Sequence, residues 1–320
     1  MKGFRVPLCA RMRAIAALLP LLALCACGRA QQTTTRTLYA MDTVMELTLY
    51  AADADEEADA LEALIRSTEG TWSVSAAGSV PAVLNAGQEP EDAAREVVGQ
   101  VLALSERCGG AFSPTLGALS ELWGFSTGAY YVPTEAEIAA ALQEEKWDFG
   151  GAIKGYTGQI AAEYLESTGI PCAIMNLGGN VQTYGEKADG TAWQIGIQNP
   201  EGDGCLGIVC VSGTASIVTS GSYQRYFEAD GVLYHHILDP ATGSPARSGL
   251  RSVTVIARDG LTADVLSTAL FVLGLEAGSE LWRESDDFEA VFVAEDGSIW
   301  ATEGAALSGC DYEVIARETD

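Results

Sequence analysis

The sequence predicts an α+β fold, with antiparallel sheets and flanking helices. Three observations carry that expectation. The first half shows apolar residues at helical spacing. The second half shows short alternating runs parted by turns rich in Gly, Asn and Asp. No Walker loop or dinucleotide fingerprint appears, which argues against a doubly wound parallel sheet. The chain has 320 residues, enough for one large domain or two intimately packed subdomains, and no Pro/Ser-rich linker divides it.

The first 26 residues read as a targeting segment. Lys2, Arg5, Arg11 and Arg13 precede an apolar run from Ala14 to Ala26, too short to span a bilayer as a helix. The run ends Leu24-Cys25-Ala26-Cys27, which resembles a bacterial lipoprotein signal with Cys27 as the acylated residue. Residues 27 to 36 then read as lipidated Cys and polar tether. This places the domain, residues 37 to 320, at a cell membrane on the extracytoplasmic side, held by lipid.

The elements follow in order. Thr37 to Ala51 reads as a strand region. Asp53 to Ser67 is an acidic amphipathic helix, with Ala60, Leu61, Leu64 and Ile65 on one side. Glu91 to Cys108 is a second helix. Thr134 to Glu144 is a third, with Glu137 three residues after Thr134 as in a capping box. Tyr156 to Ser167 is a fourth, closed by Gly169. Strands follow at Cys172–Asn176, Trp193–Gln198, Cys205–Ser212, Val232–Leu238, Ser252–Ala257, Ala290–Val293 and Ser298–Thr302, with a helix from Leu261 to Leu273 among them.

Charge narrows the function. The chain carries 18 Lys+Arg and 44 Asp+Glu. Without the four basic residues of the targeting segment, 14 remain against 44, a net charge of −30. Such a surface repels nucleic acid and anionic headgroups. It also repels phosphate-bearing substrates unless a metal or local cations offset the field. Five cysteines remain beyond Cys27, scattered and without zinc spacing. Cys205 and Cys210 could pair across a hairpin, although buried thiols fit the pattern better.

Four motifs could carry chemistry. Asp148-Phe149-Gly150-Gly151-Ala152-Ile153-Lys154 opens a helix, where glycines allow close backbone approach and the helix terminus favours an anion. Asp264 and Thr268 lie one turn apart on one helix, stacking a carboxylate over a hydroxyl, a set that suits Mg²⁺. The bland alternative is a dipole partner and a hydroxyl bonded one turn back. Met175 to Asn180 runs a strand into Gly-Gly-Asn, a close backbone approach or a plain corner. Thr219 to Tyr226 supplies hydroxyls and an Arg, with no nucleophile elbow around Ser220. The chain's two histidines are neighbours, His235 and His236, ahead of Asp239-Pro240. Side chains adjacent on a strand face opposite ways, so one of the two is available to a site.

Taken together, these runs resemble the FAD:protein FMN transferases, the ApbE family. The resemblance runs from Met41-Asp42-Thr43 through Thr71-Trp72, Leu84-Asn85, Gly110 to Gly117, Leu122 to Phe125, Asp148 to Tyr156, Asn176 to Asn180, Trp193 to Ile197, Thr219 to Gly221, His236 to Gly243 and Ala263-Asp264 to Gly274. It implies an ApbE-like α+β fold with the flavin between related subdomains. It also implies Mg²⁺-assisted cleavage of FAD, with FMN passing to a Thr or Ser hydroxyl and AMP leaving. Asp264, Thr268, Gly151 (through its carbonyl) and Ser267 match the metal positions. Met41, Trp72, Ala111, Phe112, Ser113, Asp148, Lys154, His236 and Ile237 match the flavin-nucleotide positions. His236 matches the histidine ahead of Asp-Pro, and we read it as the base, with Asp239 as orienter or turn-former. Implied partners are extracytoplasmic segments of membrane redox proteins, such as Rnf- or Nqr-type subunits. Hydrolysis of FAD to FMN and AMP, or flavin holding without chemistry, are the alternatives. Three positions depart from the usual pattern: Ser113 stands for Asp, Asp42 for Gly, and Ala152-Ile153 inverts the common order.

Overall fold

The computed structural model describes residues 32–317; Cys27 and the targeting segment lie outside them. The chain begins with β1 (Thr34–Ala40) and β2 (Thr43–Leu49), then helices α1 (Asp55–Trp72), α2 (Val80–Asn85), α3 (Asp92–Arg107), α4 (Gly117–Leu122), α5 (Glu135–Ala141) and α6 (Ile153–Glu166). Strands β3 (Ala173–Leu177), β4 (Asn180–Tyr184), β5 (Trp193–Gln198), β6 (Cys205–Val211), β7 (Ala215–Gly221), β8 (Tyr226–Ala229), β9 (Val232–His235) and β10 (Leu250–Ala257) follow. Helix α7 (Gly260–Arg283) precedes β11 (Phe288–Ala294), β12 (Ile299–Thr302), β13 (Leu307–Ser308) and β14 (Glu313–Ile315).

One nine-stranded sheet, ordered β1-β2-β3-β4-β7-β10-β11-β12-β14, organises the described residues. All its ladders are antiparallel except β12 with β14. Period-2 alternation sorts its side chains into two layers. Val218, Val253, Val255, Ala290 and Phe292 face a core built with α7. Ile217, Ile256 and Val291 face Ile195, Ile197 and Val209 of the small sheet β13-β6-β5. One continuous sheet thus runs through the described part of the domain.

Helices α6 and α7 cross at two facing glycines. A Cβ at Gly155 would lie 2.0 Å from Gly260 O, and one at Gly260 would lie 2.2 Å from Gly155 O. Any larger residue at either position would push the helices apart. Helix α7 is apolar and long enough to cross a bilayer, but most of its apolar stretch is buried in the protein, so it is a core helix. It breaks at Gly274, where φ is 80°, next to the Leu273 at which the sequence pattern ends.

The outcome differs from the sequence reading in several places. β1 starts at Thr34 and pairs with β2, so Thr34 to Arg36 belong to the sheet, not to the tether. Met41 and Asp42 form the hairpin turn, both at positive φ (50° and 58°). That backbone explains why Gly is usual at position 42; Asp tolerates the left-handed region better than most residues. Helix α1 runs on to Trp72, its late hydroxyls Thr68 and Thr71 donating to carbonyls one turn back. Helix α5 carries the expected capping box, with Thr134 Oγ1 accepting from Glu137 N and the Glu137 carboxylate accepting from Thr134 N. β9 ends at His235 rather than Leu238, because the chain turns back through Asp239–Gly243 and Ala246 N donates to Ile237 O. Cys205 and Cys210 sit on the same strand, not across a hairpin, and Cys205 is exposed. β4, β7, β8, β13 and β14 and the short helices α2 and α4 were not expected.

Candidate active site

The glycine turn ahead of α6 is the hub. Asp148 N donates to Pro114 O, tying the turn to the Ser113–Thr115 loop. Asp148 Oδ1 accepts from Gly150 N at 2.8 Å, and burial pushes the carboxyl pKa up. Ser113 Oγ lies 3.0 Å from Thr115 Oγ1 and accepts from Thr115 N, so it closes a local turn where a carboxylate is usual. Phe112 and Ala111 are buried beside the turn; a Cβ at Gly151 would meet the Phe112 ring at 3.0 Å and Thr268 Oγ1 at 3.8 Å. Trp72 packs edge-on against Phe149, with centroids 5.0 Å apart, and against Tyr156. Met41 N donates to Glu69 Oε1 at 2.6 Å, and Thr157 Oγ1 lies 3.8 Å from Met41 Sδ.

On the other side of that turn stands α7. Asp264 is buried, and its Oδ2 accepts from Gly155 N at 2.8 Å. No other described group donates to this carboxylate, so Oδ1 keeps its lone pairs. Ser267 Oγ donates to Asp264 O and lies 2.8 Å from Ser220 Oγ; Ser220 Oγ lies 3.1 Å from Thr268 Oγ1. Gly151, Ser220, Asp264, Ser267 and Thr268, spread over more than a hundred residues, therefore meet in one place. Ser220 was not expected there. Its place follows from the pairing of β7 with β10, a register invisible in a lone serine.

The donor chemistry fits a hard divalent cation. A buried carboxylate, hydroxyls and a carbonyl from a side-chain-free glycine are oxygen ligands of the kind Mg²⁺ takes, with water completing the shell. Among the described residues no three His, Cys, Asp or Glu side chains converge. Ser267 already has two protein partners, so it supports the cluster, leaving Asp264, Thr268 and Gly151 O as the freer donors.

Two cations lie near the glycine turn in a very acidic chain, both acting on Asp148. Lys154 Nζ reaches only Gly150 O, at 3.5 Å. Arg225, exposed on the loop after β7, makes no ion pair among the described residues. Both act on His236. Burial first, then Arg225 and Lys154, push the imidazole pKa down to about 3, so it is neutral at working pH. Its Nδ1 lies 3.2 Å from Arg225 O. A carbonyl only accepts, so Nδ1 carries the proton and Nε2 keeps a lone pair.

Asp239 does not touch His236. Its carboxylate accepts from Ala241 N and Thr242 Oγ1, holding the turn that returns the chain. The orienting contact comes from Arg225 O instead. Ile237 is buried in the α7 core with its carbonyl bonded to Ala246 N. His235 faces the other way, buried edge-on to Phe271, with Nε2 bonded to Ala246 O and its pKa lowered to about 4 by burial. A separate cavity of about 310 Å³, lined by Gln159, Glu163 and Glu166 of α6 and by Asp259 ahead of α7, holds none of these residues.

The chain matches the ApbE family model over residues 41–292. The chain belongs to the ApbE family. Among relatives, it is 35% identical over 281 residues to a FAD:protein FMN transferase of Klebsiella pneumoniae, covering 79% of this chain and 86% of that protein. It is 32% identical over 294 residues to one from Treponema pallidum, covering 79% and 81%. Among solved structures, the Thermotoga maritima ApbE protein superposes with a TM-score of 0.78 at 32% identity, covering 85% of this chain and 97% of that one. The Vibrio cholerae flavin transferase ApbE gives a TM-score of 0.72 at 26% identity, covering 85% and 98%.

Proposed function

We propose that this ApbE-family protein is a Mg²⁺-dependent FAD:protein FMN transferase that moves FMN from FAD to a Thr or Ser hydroxyl of a target protein and releases AMP. Flavin transfer itself follows from its relatives, which are named for that reaction. The observation that supports the fuller reading is the meeting of the Asp264–Thr268 face with Ser220, Gly151 and the first turn of α6, whose Lys154 acts together with Arg225 on His236.

Each chain residue has a task in that reaction. Lys154 and Arg225 attract the diphosphate, which the bulk of the surface repels. Half-buried Tyr156, backed by the core residue Trp72, offers an aromatic surface for the flavin side. His236 Nε2 takes the proton from the acceptor hydroxyl as its oxygen bonds to the FMN phosphorus; the bond between that phosphorus and the bridging oxygen breaks, and AMP departs with the oxygen. A Mg²⁺ held by Asp264, Thr268 and Gly151 O would neutralise charge developing on the phosphates.

The acidic surface and the Cys27 signal support an extracytoplasmic, lipid-anchored enzyme. Its targets are extracytoplasmic segments of membrane redox proteins such as Rnf- or Nqr-type subunits, and nucleic acid is excluded as a partner. The test is incubation with FAD, Mg²⁺ and a candidate subunit, followed by a denaturing gel under ultraviolet light. Covalent fluorescence on the subunit is expected. AMP release without labelled subunit would make the protein a hydrolase, and unchanged bound FAD a carrier.

A further inference from the structure

Ser220 lies near the end of β7, paired with Val253 of β10, and is buried. Its hydroxyl touches two others, Ser267 Oγ at 2.8 Å and Thr268 Oγ1 at 3.1 Å. A hydroxyl has one proton to donate, so the direction of such a chain is decided by its fixed end. Here the fixed end is Ser267. Its Oγ donates to Asp264 O at 2.9 Å, and a carbonyl only accepts. The Ser267 proton is therefore committed, and the Ser220 proton must point to Ser267 Oγ. That leaves Ser220 Oγ as an acceptor, so the proton between Ser220 and Thr268 belongs to Thr268. The order runs from Thr268 to Ser220 to Ser267 to Asp264 O.

The order matters for what Thr268 offers on its other side. Ser220 is the one described hydrogen-bond partner of Thr268 Oγ1. With the Thr268 proton drawn towards Ser220, the oxygen turns its lone pairs away from β7. No described group donates to them, and Thr268 is only half-buried. A hard cation is bound by oxygen lone pairs, and a hydroxyl proton on the same side would repel it. The reverse order would leave the Thr268 proton on that side. A helical threonine without an outside acceptor commonly turns its hydroxyl to the carbonyl one turn back. For Thr268 that carbonyl is Asp264 O, which Ser267 already occupies. Ser220 is thus the group that holds Thr268 in a ligating pose.

We propose that Ser220 is a positioning residue of the cation site: by accepting the Thr268 hydroxyl proton it keeps the Thr268 lone pairs free for a divalent cation shared with Asp264. The proposal rests on the metal reading above, and its test separates the two. Mn²⁺, a hard cation with a paramagnetic signal, stands in for Mg²⁺. Its binding to the purified protein without flavin is followed by electron paramagnetic resonance, and the site is defined as the binding that Asp264→Asn removes. Ser220→Ala should weaken that site by about 10- to 100-fold, as loss of a partner that orients a metal ligand typically does. Thr268→Val should weaken it at least as much. The double variant should be no weaker than Thr268→Val alone, because Ser220 acts through Thr268. In transfer assays Ser220→Ala should need more Mg²⁺ for half-maximal rate, yet recover kcat to within a few-fold at saturating Mg²⁺. Ser220→Cys has a similar size and a weak acceptor; it carries the same expectations and replaces Ser220→Ala if a thermal melt shows that variant unfolded. Unchanged Mn²⁺ affinity, additive losses in the double variant, or a kcat that saturating Mg²⁺ does not restore would each overturn the proposal. A wild type that binds Mn²⁺ no better than Asp264→Asn would sink the metal reading itself, and this proposal with it.

Discussion

At the scale of single residues, protonation and lone pairs decide what the site can do. Asp264→Asn keeps an acceptor for Gly155 N but removes the charge. Metal-dependent turnover should fall by at least about 100-fold with the melt little changed; normal turnover would disprove the metal assignment. His236→Ala should cost about 100- to 10,000-fold in transfer to a protein acceptor. Because its pKa is held near 3, kcat/KM for the free enzyme should stay flat through pH 6.5, and a clear inflection at 6.5 would show a solvated imidazole instead. The same depressed values tie stability to pH. Both histidines bind protons more readily unfolded than folded, so their contribution is present above about 6.5. It is lost as pH falls towards about 4 for His235 and about 3 for His236. Denaturant titrations should show less stability at pH 5 than at 7.5, and His235→Gln should flatten that slope. The motif residues were legible because their chemistry is local: an acid and a hydroxyl one helical turn apart, glycines before a helix, a histidine before Asp-Pro. Ser220 and Arg225 lay in a run already noted for its hydroxyls and its Arg, but their places beside Ser267 and His236 were not legible, since each comes from a strand register or loop that brings distant residues together.

At the scale of elements, the sequence revealed those whose burial is apolar. Helices α1 and α3 and strands β5, β6 and β10 show the expected periods because one face meets a hydrophobic core. β4 and β7 escaped because their inward face carries Asn180, Gln182, Ser216 and Ser220. Those groups are mostly satisfied by one another, as in the Ser216–Gln182 and Ser220–Ser267 bonds, so the apolar alternation is interrupted where the site is built. The start of α6 escaped for a related reason: Gly155 is a poor helix former, yet only glycine lets α6 approach α7. Gly155→Ala puts a methyl 2.0 Å from Gly260 O. It should destabilise the domain by about 1–3 kcal/mol or more, visible as a lowered melting midpoint, and it should also displace the N–H that Asp264 accepts. Unchanged melting would mean the two helices can slide apart without cost. A surface element gives the contrasting case. Thr134→Ala removes one half of the α5 capping box and should cost about 1 kcal/mol with transfer activity largely kept, as α5 supplies no site residue and only packs behind the turn at Gly243.

At the scale of the whole molecule, the field of the acidic chain and the fields inside the site oppose each other. A net charge of −26 over 320 residues repels the dinucleotide from afar and gathers divalent cations. Lys154 and Arg225 act only within the cleft. Salt separates the two contributions, because the Debye length shrinks from about 30 Å at 0.01 M to about 8 Å at 0.15 M. The long-range field is then screened across most of the domain, whereas contacts of a few ångströms persist. Raising monovalent salt over that range should therefore raise the Mg²⁺ concentration needed for half-maximal activity and lower KM for FAD at saturating Mg²⁺. Both shifts should be a few-fold and opposite in sign. Lys154→Gln removes a short-range partner, so it should raise KM for FAD at every salt concentration and leave the direction of the salt trend intact. A KM for FAD that climbs with salt would reverse the picture: the local cations, not the acidic surface, would then govern how the substrate arrives.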